Sequence, residues 1–285
     1  MLTRHPRYGD PLRDDPAETT RPRLDDRVIH AAHNRLTTRD RWLLALLHEH
    51  RTLTSHQIAE LAFGHHSAAN RRLLLLYRLR AVDRFRPFTR TGSAPWHYVL
   101  GDTGAIILAA QAGMTVGEFG YRRADALAIA RSSQLAHLVG VNGFFTALAA
   151  HARHHSDTDL LAWWPEHRCA TAWGPTVQPD GFGRWTEHGR QIDFFLEHDT
   201  GTETLHRVAS KIPRYTRLAT TTAITTPVVI WLHSTAREIE LHKLIRSTPI
   251  PIATAASSPT DTPAGPIWQL VGRSDRVRLA ELATG

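Results

Sequence analysis

The hydrophobic positions in the first third of the chain recur every three or four residues, which predicts three short helices. The first is capped by Thr37 and Thr38 and ends before Arg51. A second, shorter helix closes at Phe63-Gly64, and a third runs from Ser67 to Ala81. Three helices with a short turn before the third match a helix-turn-helix.

Alternating apolar and polar residues then predict two strands, Val82–Phe88 and Trp96–Leu100, joined by a turn at 91–95. Such a hairpin is the wing of a winged helix-turn-helix, a fold that binds double-stranded DNA and in other proteins serves only protein interactions. On DNA, the third helix would enter the major groove and the wing would touch phosphates. The residues expected to contact DNA are Asn70, Arg71, Arg72, Arg78, Arg86 and Arg90.

The second half of the chain alternates helical patterns with short apolar runs. A long helix is predicted from Ser132 to about His154, followed by strands at 160–164, 176–185 and 191–198. Helix, strand, helix and strand follow in turn, which is the order of an α+β or α/β domain with a mixed sheet. The expected organisation is a disordered or partner-ordered tail at 1–36, a winged helix-turn-helix domain at 37–120 and an α/β domain at 121–285.

Composition narrows the class of protein. Apolar residues make up 42% and charged residues 21% of the chain, as in globular proteins. The apolar runs are shorter than the roughly 18 residues of a membrane span, and the N-terminus lacks the apolar region of a signal peptide. Cys169 is the single cysteine, which excludes internal disulfides and zinc sites with several thiolates. We therefore expect a cytoplasmic protein with no membrane partner.

The net charge of +7 is concentrated in the N-terminal half. Residues 1–131 carry 20 arginines against 13 acidic residues, whereas residues 132–285 carry 14 basic and 14 acidic residues. Between Ser67 and Arg90, seven arginines face a single acid, Asp83. A basic patch of this kind is typical of proteins that bind a phosphate backbone. The alternative is a solvated surface in a chain that favours arginine over lysine.

Carboxylates provide the candidate chemistry of the second half. Strand alternation in residues 191–199 places Glu197 and Asp199 on one face, and Asp180 lies beside Glu197 if its strand pairs with the next one. Neighbouring carboxylates attract a hard divalent ion, usually Mg²⁺ where phosphates complete the shell. Lys211, on the following helix, can lean over such a site to orient a water molecule or hold a phosphate oxygen. The other interpretation is that Asp180 caps a turn and Glu197 is solvated.

Five short motifs then suggest a family: Pro179-Asp180, Phe-Phe-Leu-Glu-His-Asp at 194–199, Gly201-Thr202-Glu203, Lys211 and Tyr215. Together they resemble the pattern of the actinobacterial replication-relaxation family, which is found on plasmids and other mobile elements. The resemblance covers about residues 38–250. It implies a winged helix joined to a restriction-endonuclease-like αβββαβ domain of the PD-(D/E)xK type.

The resemblance also implies roles for residues. Asp180 would be the first Mg²⁺ ligand and Glu197 the second, with Glu166 or Asp199 as a third. Asp199 stands where the pattern has its catalytic lysine, so Lys211 would be a lysine that has migrated to the helix. The catalytic set implied in this way is Asp180, Glu197, Asp199 and Lys211.

Two functions stay open at this point. In the first, the protein binds double-stranded DNA of a mobile element in replication, relaxation or transfer, and nicks it with Mg²⁺. In the second, it is a non-catalytic winged-helix regulator whose nuclease-like domain serves a homodimer or the docking of other replication or transfer proteins. Tyr77 and Tyr215 are conceivable nucleophiles, but both lie on or near apolar helix faces, which favours packing in the core.

Overall fold

The computed structural model describes residues 12–89, 92–223, 225–245, 247–258 and 261–284, with side chains through 282. The chain divides into two compact units, Met1–Asn142 and Gly143–Gly285. The division lies within a long helix, whereas the sequence pattern placed a boundary at 120/121. The two units contain helices and a mixed sheet, so the fold is of the mixed α+β class, as predicted.

Unit 1 consists mainly of helices around a small antiparallel sheet of order β1-β3-β2. Its elements are α1 Asp26–Arg35, α2 Thr38–His50, β1 Leu53–Thr54, α3 Ser55–Ala62, α4 His66–Arg78, β2 Val82–Phe85, β3 His97–Leu100, α5 Asp102–Gln111, α6 Arg123–Ala128 and a 3-10 helix Ile129–Arg131. The three predicted helices correspond to α2, α3 and α4. The two predicted strands are observed as β2 and β3, although β2 ends at Phe85, before the predicted Phe88.

Capping chemistry explains where α2 and α3 begin. Thr37 and Asp40 form a reciprocal capping box at the start of α2, and Thr54 and Gln57 form another at the start of α3. In contrast, α4 has His65 as its N-cap residue, with no side-chain hydrogen bond. The predicted cap at Ser67 is therefore displaced by two residues.

The segment expected to be a disordered or partner-ordered tail, residues 1–36, includes helix α1 in its described part. Asp25 caps α1 by accepting a hydrogen bond from the amide of Val28. Upstream, the buried side chain of Arg21 forms an ion pair with Asp83 and donates to the carbonyl of Tyr77 at 3.0 Å. Ion pairs hold the part of this segment before α1, whereas Ala32 of α1 and Leu36 after it are buried apolar residues four positions apart. Residues 1–11 lie outside the described range.

Unit 2 is built on a seven-stranded mixed sheet of order β10-β9-β8-β7-β6-β5-β4. Its elements are β4 Thr158–Pro165, α8 Glu166–Trp173, β5 Gly181–Glu187, β6 Arg190–Asp199, α9 Leu205–Ser210, α10 Ile212–Thr222, β7 Val228–Leu232, α11 Thr235–Leu244, β8 Ile252–Ala256, β9 Trp268–Leu270, β10 Arg276–Val277 and a 3-10 helix Leu279–Thr284, with α7 Leu135–Ala152 leading into the unit. Strands β6, β7 and β8 are parallel, and the other pairs are antiparallel. The predicted mixed sheet is confirmed.

Helix α8 was missed by the sequence pattern, and β5 begins at Gly181 rather than at Thr176. The backbone at Gly181 and Gly183 is covered by the ring of Phe145 from α7. A Cβ at Gly183 would lie 2.9 Å from that ring and 2.2 Å from the ring of Phe194. The glycines therefore let aromatic side chains reach the sheet immediately after Asp180.

One helix in the described part of the chain, α7, has the length and apolar composition that crossing a membrane requires. Within unit 2, its Phe144, Phe145 and Leu148 are buried among protein atoms. Helices in the core of water-soluble proteins meet the same criterion, so a single helix of this kind is weak evidence for a membrane protein. The expectation of no membrane span, based on short uninterrupted apolar runs, did not consider α7 as a whole.

Candidate functional site

The exposed face of α4 carries three of the residues predicted to contact DNA: Asn70, Arg71 and Arg78. Among the described residues, neither arginine has a hydrogen bond or ion pair through its guanidinium group. Their positions seven residues apart lie about two helical turns apart on one side of α4. These cations are therefore available for a ligand outside the protein.

Arg72, the neighbour of Arg71, is instead part of the folded structure. Its guanidinium group donates to Asp40 at 3.0 Å and to the carbonyl of Arg35 at 2.8 Å. Burial raises the pKa of Asp40, but the hydrogen bonds from Arg72 and Thr37 outweigh it, so this pKa lies below its usual value. Arg72 therefore links α4 to α2 rather than reaching outward.

The arginines of β2 are also engaged. Arg84 donates to both carboxylate oxygens of Asp15, at 2.6 and 2.8 Å, and its guanidinium carbon lies 4.0 Å from the centroid of the Trp96 ring. Arg86 lies over the same indole at 4.2 Å, and burial lowers its pKa. Arg80, at the end of α4, pairs with Asp102 at 2.5 Å. The remaining predicted contact, Arg90, lies outside the described residues.

The acidic candidate site lies in unit 2, where three neighbouring strands are in register. Pro165 of β4 pairs with Gly181 of β5, and Gly181 pairs with Leu196 of β6. Asp180 precedes Gly181, so the pairing direction brings it beside Glu197. A carboxylate oxygen of Asp180 accepts a hydrogen bond of 2.7 Å from the amide of His198. The predicted proximity of Asp180 and Glu197 is thus observed.

Glu197 is the buried centre of this site, with 4% of its surface exposed. The ammonium group of Lys211 donates to Oε2 at 2.5 Å, and the hydroxyl of Tyr215 donates to Oε1 at 2.5 Å. Burial and the nearby charge of Asp180 raise the pKa of Glu197 to about 7, despite the opposing effects of Lys211 and Tyr215. The carboxyl group can therefore gain or lose a proton near neutral pH.

The two partners of Glu197 respond to the same environment. Burial lowers the pKa of Lys211, but the charges of Glu197 and Asp180 outweigh it, so this pKa lies above its usual value. Burial and Glu197 raise the pKa of Tyr215 well above its usual value. A buried phenol with a raised pKa is a poor nucleophile, which agrees with the predicted packing role of Tyr215. Its hydrogen bond to Glu197, however, was not predicted.

Asp199 was placed in the catalytic set by resemblance, but the structure engages it elsewhere. Arg237 of α11 donates to both of its carboxylate oxygens, at 2.6 and 2.9 Å, and the amide of Gly201 donates to Oδ1 at 3.1 Å. This bidentate ion pair joins the end of β6 to α11. This ion pair gives Asp199 a structural role at the end of β6.

Glu166 begins α8 and is exposed to solvent. No group of three or more His, Cys, Asp or Glu in the described ranges is arranged to hold a metal ion, so Glu166 is not joined to Asp180 and Glu197 as a third ligand. Near these carboxylates, burial raises the pKa of the Cys169 thiol to about 12, with Glu166 and Asp180 adding to the shift. Cys169 is therefore a protonated thiol at neutral pH.

The remaining pair, Asp180 and Glu197, fits Mg²⁺ by its donor type. Mg²⁺ is commonly bound by one or two carboxylates together with substrate phosphates and water. Lys211 reaches the carboxylate of Glu197, and its side chain is 35% exposed to solvent. The arrangement can combine an oxygen-rich ligand pair with a cation.

The fold and the site first define a class: a mixed α+β protein with outward-facing arginines on a helix of one unit and a buried glutamate–lysine–tyrosine site in the other. Within that class, the chain belongs to the replication-relaxation family, whose model matches residues 44–229. The matched segment includes Asp180, Glu197, Lys211 and Tyr215. The family suggests a role in the replication or relaxation of plasmids or other mobile elements.

This match confirms the family that the short motifs indicated. The predicted actinobacterial origin and the winged-helix and nuclease-like architecture of its two domains stay predictions. No match was found among curated proteins or among solved structures.

Proposed function

We propose that the protein acts in the cytoplasm on double-stranded DNA of a mobile element, and that it nicks this DNA with Mg²⁺ during replication, relaxation or transfer. In this proposal, α2 to β3 form a winged helix-turn-helix, and unit 2 is a PD-(D/E)xK-like domain. The observation that carries the proposal is the hydrogen bond of 2.5 Å from Nζ of Lys211 to Oε2 of Glu197, beside Asp180. Lys211 would supply the cation of the PD-(D/E)xK pattern from the α9–α10 segment, because Asp199 occupies the strand position where that pattern has its lysine.

The element order of unit 1 supports DNA binding. Helix α3, a short turn and α4 are followed by the antiparallel pair β2–β3, in the order of a winged helix-turn-helix. Asn70 suits a base edge, and Arg71 suits a base edge or a phosphate, because both side chains are exposed on α4. Arg78 lies further along the helix and suits a phosphate.

The donor set of unit 2 supports phosphodiester chemistry. Asp180 and Glu197 would hold Mg²⁺, which activates a water molecule and stabilises charge on the phosphate when it is bound. Lys211 would hold a non-bridging phosphate oxygen, because its ammonium group is partly exposed and already oriented by Glu197. Tyr215 would keep the Glu197 carboxylate in position by its hydrogen bond.

Nicking of supercoiled plasmid tests this proposal. With Mg²⁺ or Mn²⁺ and a plasmid carrying the cognate site, wild type should produce relaxed circles. Asp180→Asn and Lys211→Met should lose about 100-fold or more in rate, as expected when a charged group that stabilises the transition state is removed. Asp193→Asn is the matched control, since Asp193 pairs with Arg184 at the other end of β6. Equal rates in wild type and Asp180→Asn would refute catalysis at this site.

A second function is favoured by one observation: both oxygens of Glu197 already accept hydrogen bonds from within the protein. A carboxylate satisfied in this way can be a stable part of a non-catalytic domain. The protein would then regulate replication or transfer by binding DNA, and unit 2 would support a homodimer or dock other replication or transfer proteins. This alternative requires site-specific DNA binding that survives Asp180→Asn with Glu197→Gln, and no nicking by wild type.

A further inference from the structure

A long stretch of unit 2 contains no acidic residue. Residues 204–237 include neither Asp nor Glu, although the second half of the chain is electroneutral as a whole. Helices α9 and α10 lie in this stretch and expose three arginines: Arg207, Arg214 and Arg217. We call these three residues the α9–α10 stripe.

The stripe occupies one side of an almost continuous helical backbone. Lys211, between α9 and α10, keeps helical angles of φ −74° and ψ −29°. Residues 207, 214 and 217 recur at intervals of seven and three, so their side chains fall on the same face. Tyr215 and Leu218 of the same segment are buried in the core of unit 2. The stripe is therefore the solvent face of an amphipathic segment.

The stripe is poorly neutralised by the protein itself. Arg207 has Glu203 at 3.2 Å, and its side chain is 72% exposed. For Arg214 and Arg217, the described part of the chain provides no side-chain hydrogen bond and no ion pair. Four arginines elsewhere in unit 2 have carboxylate partners: Arg184 with Asp193, Arg237 with Asp199, Arg276 with Glu238, and Arg278 with Glu187.

The position of Lys211 connects this face to the candidate site. Lys211 lies between Arg207 and Arg214 in the sequence, and its ammonium group reaches Glu197. We propose that the α9–α10 stripe binds the DNA backbone and leads a strand to Asp180 and Glu197. This inference rests on the proposed function of that site, and it adds a DNA contact surface in unit 2 that is separate from α4.

The dimensions suit a run of phosphates. The ten steps from Arg207 to Arg217 rise about 15 Å along a helical path, at roughly 1.5 Å per residue. One strand of B-DNA presents a phosphate about every 3.4 Å along its axis, so about four phosphates lie within that length. Guanidinium groups bind phosphate oxygens through paired hydrogen bonds, and exposed arginines retain all their donors for this purpose.

Salt dependence of DNA binding by the full chain tests the inference. The variant is Arg214→Ala with Arg217→Ala, and Arg214→Gln with Arg217→Gln is a second form. Alanine and glutamine favour helices, so α10 is retained. The matched control is Arg190→Ala with Arg273→Ala, which removes the same charge from exposed arginines outside α9–α10. Affinity for a duplex of about 30 base pairs is measured by fluorescence anisotropy between about 50 and 200 mM NaCl.

The stripe variants should bind more weakly, and the slope of log affinity against log salt should become shallower by about 1.8, from about 0.9 for each lost phosphate contact. The ratio of wild-type affinity to variant affinity should therefore fall by roughly 12-fold between about 50 and 200 mM NaCl. The control should keep the wild-type slope. If wild type binds DNA and the stripe variants keep its slope, the inference is overturned while the proposed function stands. If wild type binds no DNA, both are overturned.

Discussion

Three arginines in or next to α4 and β2 differ from two arginines of α10 in what their guanidinium groups contact. Arg72, Arg80 and Arg84 bind carboxylates of the same unit, at positions 40, 102 and 15. The guanidinium groups of Arg214 and Arg217 have no hydrogen bond or ion pair with a side chain among the described residues. The α4–β2 region has the higher density of arginine, but several of these arginines stabilise the fold. The α9–α10 region lies in the electroneutral half of the chain, and it has arginines available for a ligand.

This difference shows that local charge density and available charge are separate quantities. The carboxylates that neutralise Arg72 and Arg84 come from segments more than 30 residues away. A window along the sequence counts the arginines and misses these partners. The reverse applies to α9–α10. Acids elsewhere in unit 2 bring the net charge of the second half of the chain to zero, but several of these acids are paired with other arginines and do not neutralise the stripe.

The largest expected effect comes from removing a buried carboxylate of unit 1. Asp83 is 1% exposed and binds Arg21 and Arg123. Asp83→Ala leaves the buried guanidinium group of Arg21 without its counter-charge, which should cost about 3–5 kcal/mol of stability. Hydrogen–deuterium exchange of the peptides that contain β2 and β3 measures the loss. A cost below about 1 kcal/mol would show that the ion pairs of Arg21 and Arg123 do not stabilise unit 1. The contrast with the unpaired arginines of α10 would then be lost.

The second largest effect, roughly 3 kcal/mol, is a dependence of stability on pH. This dependence should have opposite signs in the two units. Burial lowers the pKa of His97 in β3 to about 4, so the unfolded chain takes up a proton first as the pH falls below about 6.5. Unit 1 should therefore lose stability between about pH 6.5 and 4. The raised pKa of Glu197 means that folded unit 2 holds a proton that the unfolded chain releases. Its stability should fall as the pH rises from about 4.5 to 7.

Exchange protection of β3 and β6 peptides at several pH values checks both signs, after correction for the intrinsic exchange rate. His97→Phe should abolish the acid sensitivity of β3, and Glu197→Gln should abolish the opposite trend of β6. Parallel trends in the two peptides would contradict the assignment.

The smallest effect separates two adjacent arginines. Arg71→Ala should weaken DNA binding by about 1–3 kcal/mol, because Arg71 is exposed on α4, and should leave stability within about 0.5 kcal/mol. Arg72→Ala should cost about 1–3 kcal/mol of stability, because the carboxylate of Asp40 loses a charged partner. Anisotropy and urea denaturation of both variants check this. Equal effects on DNA affinity would mean that Arg72 also reaches DNA.

The sequence predicted those features that depend on local patterns. Helices α2 to α4 follow from apolar spacing and capping residues, and the neighbouring positions of Asp180 and Glu197 follow from strand alternation and pairing of consecutive strands. The reach of Lys211 to Glu197 was also anticipated, because a helix after the strand crosses back over the sheet. These inferences need only near neighbours in the chain.

Features that depend on distant partners were missed. The binding of Asp199 by Arg237 requires α11 to lie beside the end of β6, and nothing in the alternation of residues 191–199 reveals this. The order in residues 12–35 likewise depends on Asp83 and Arg84, in another element. A signal was present in the second case, since acids and arginines are interspersed through residues 13–27 and the apolar residues Val28, Ala32 and Leu36 recur at helical spacing.

The close approach of Phe145 to Gly181 and Gly183 has a consequence for how relatives of this protein diverge. A side chain at either glycine would collide with an aromatic ring, whatever reaction the domain performs. Under the proposed nicking function, lineages that lose cleavage should therefore let the carboxylate at 180 change while both glycines persist. Lineages that retain cleavage should preserve all three positions, so a comparison of many descendants can distinguish ancestry from activity.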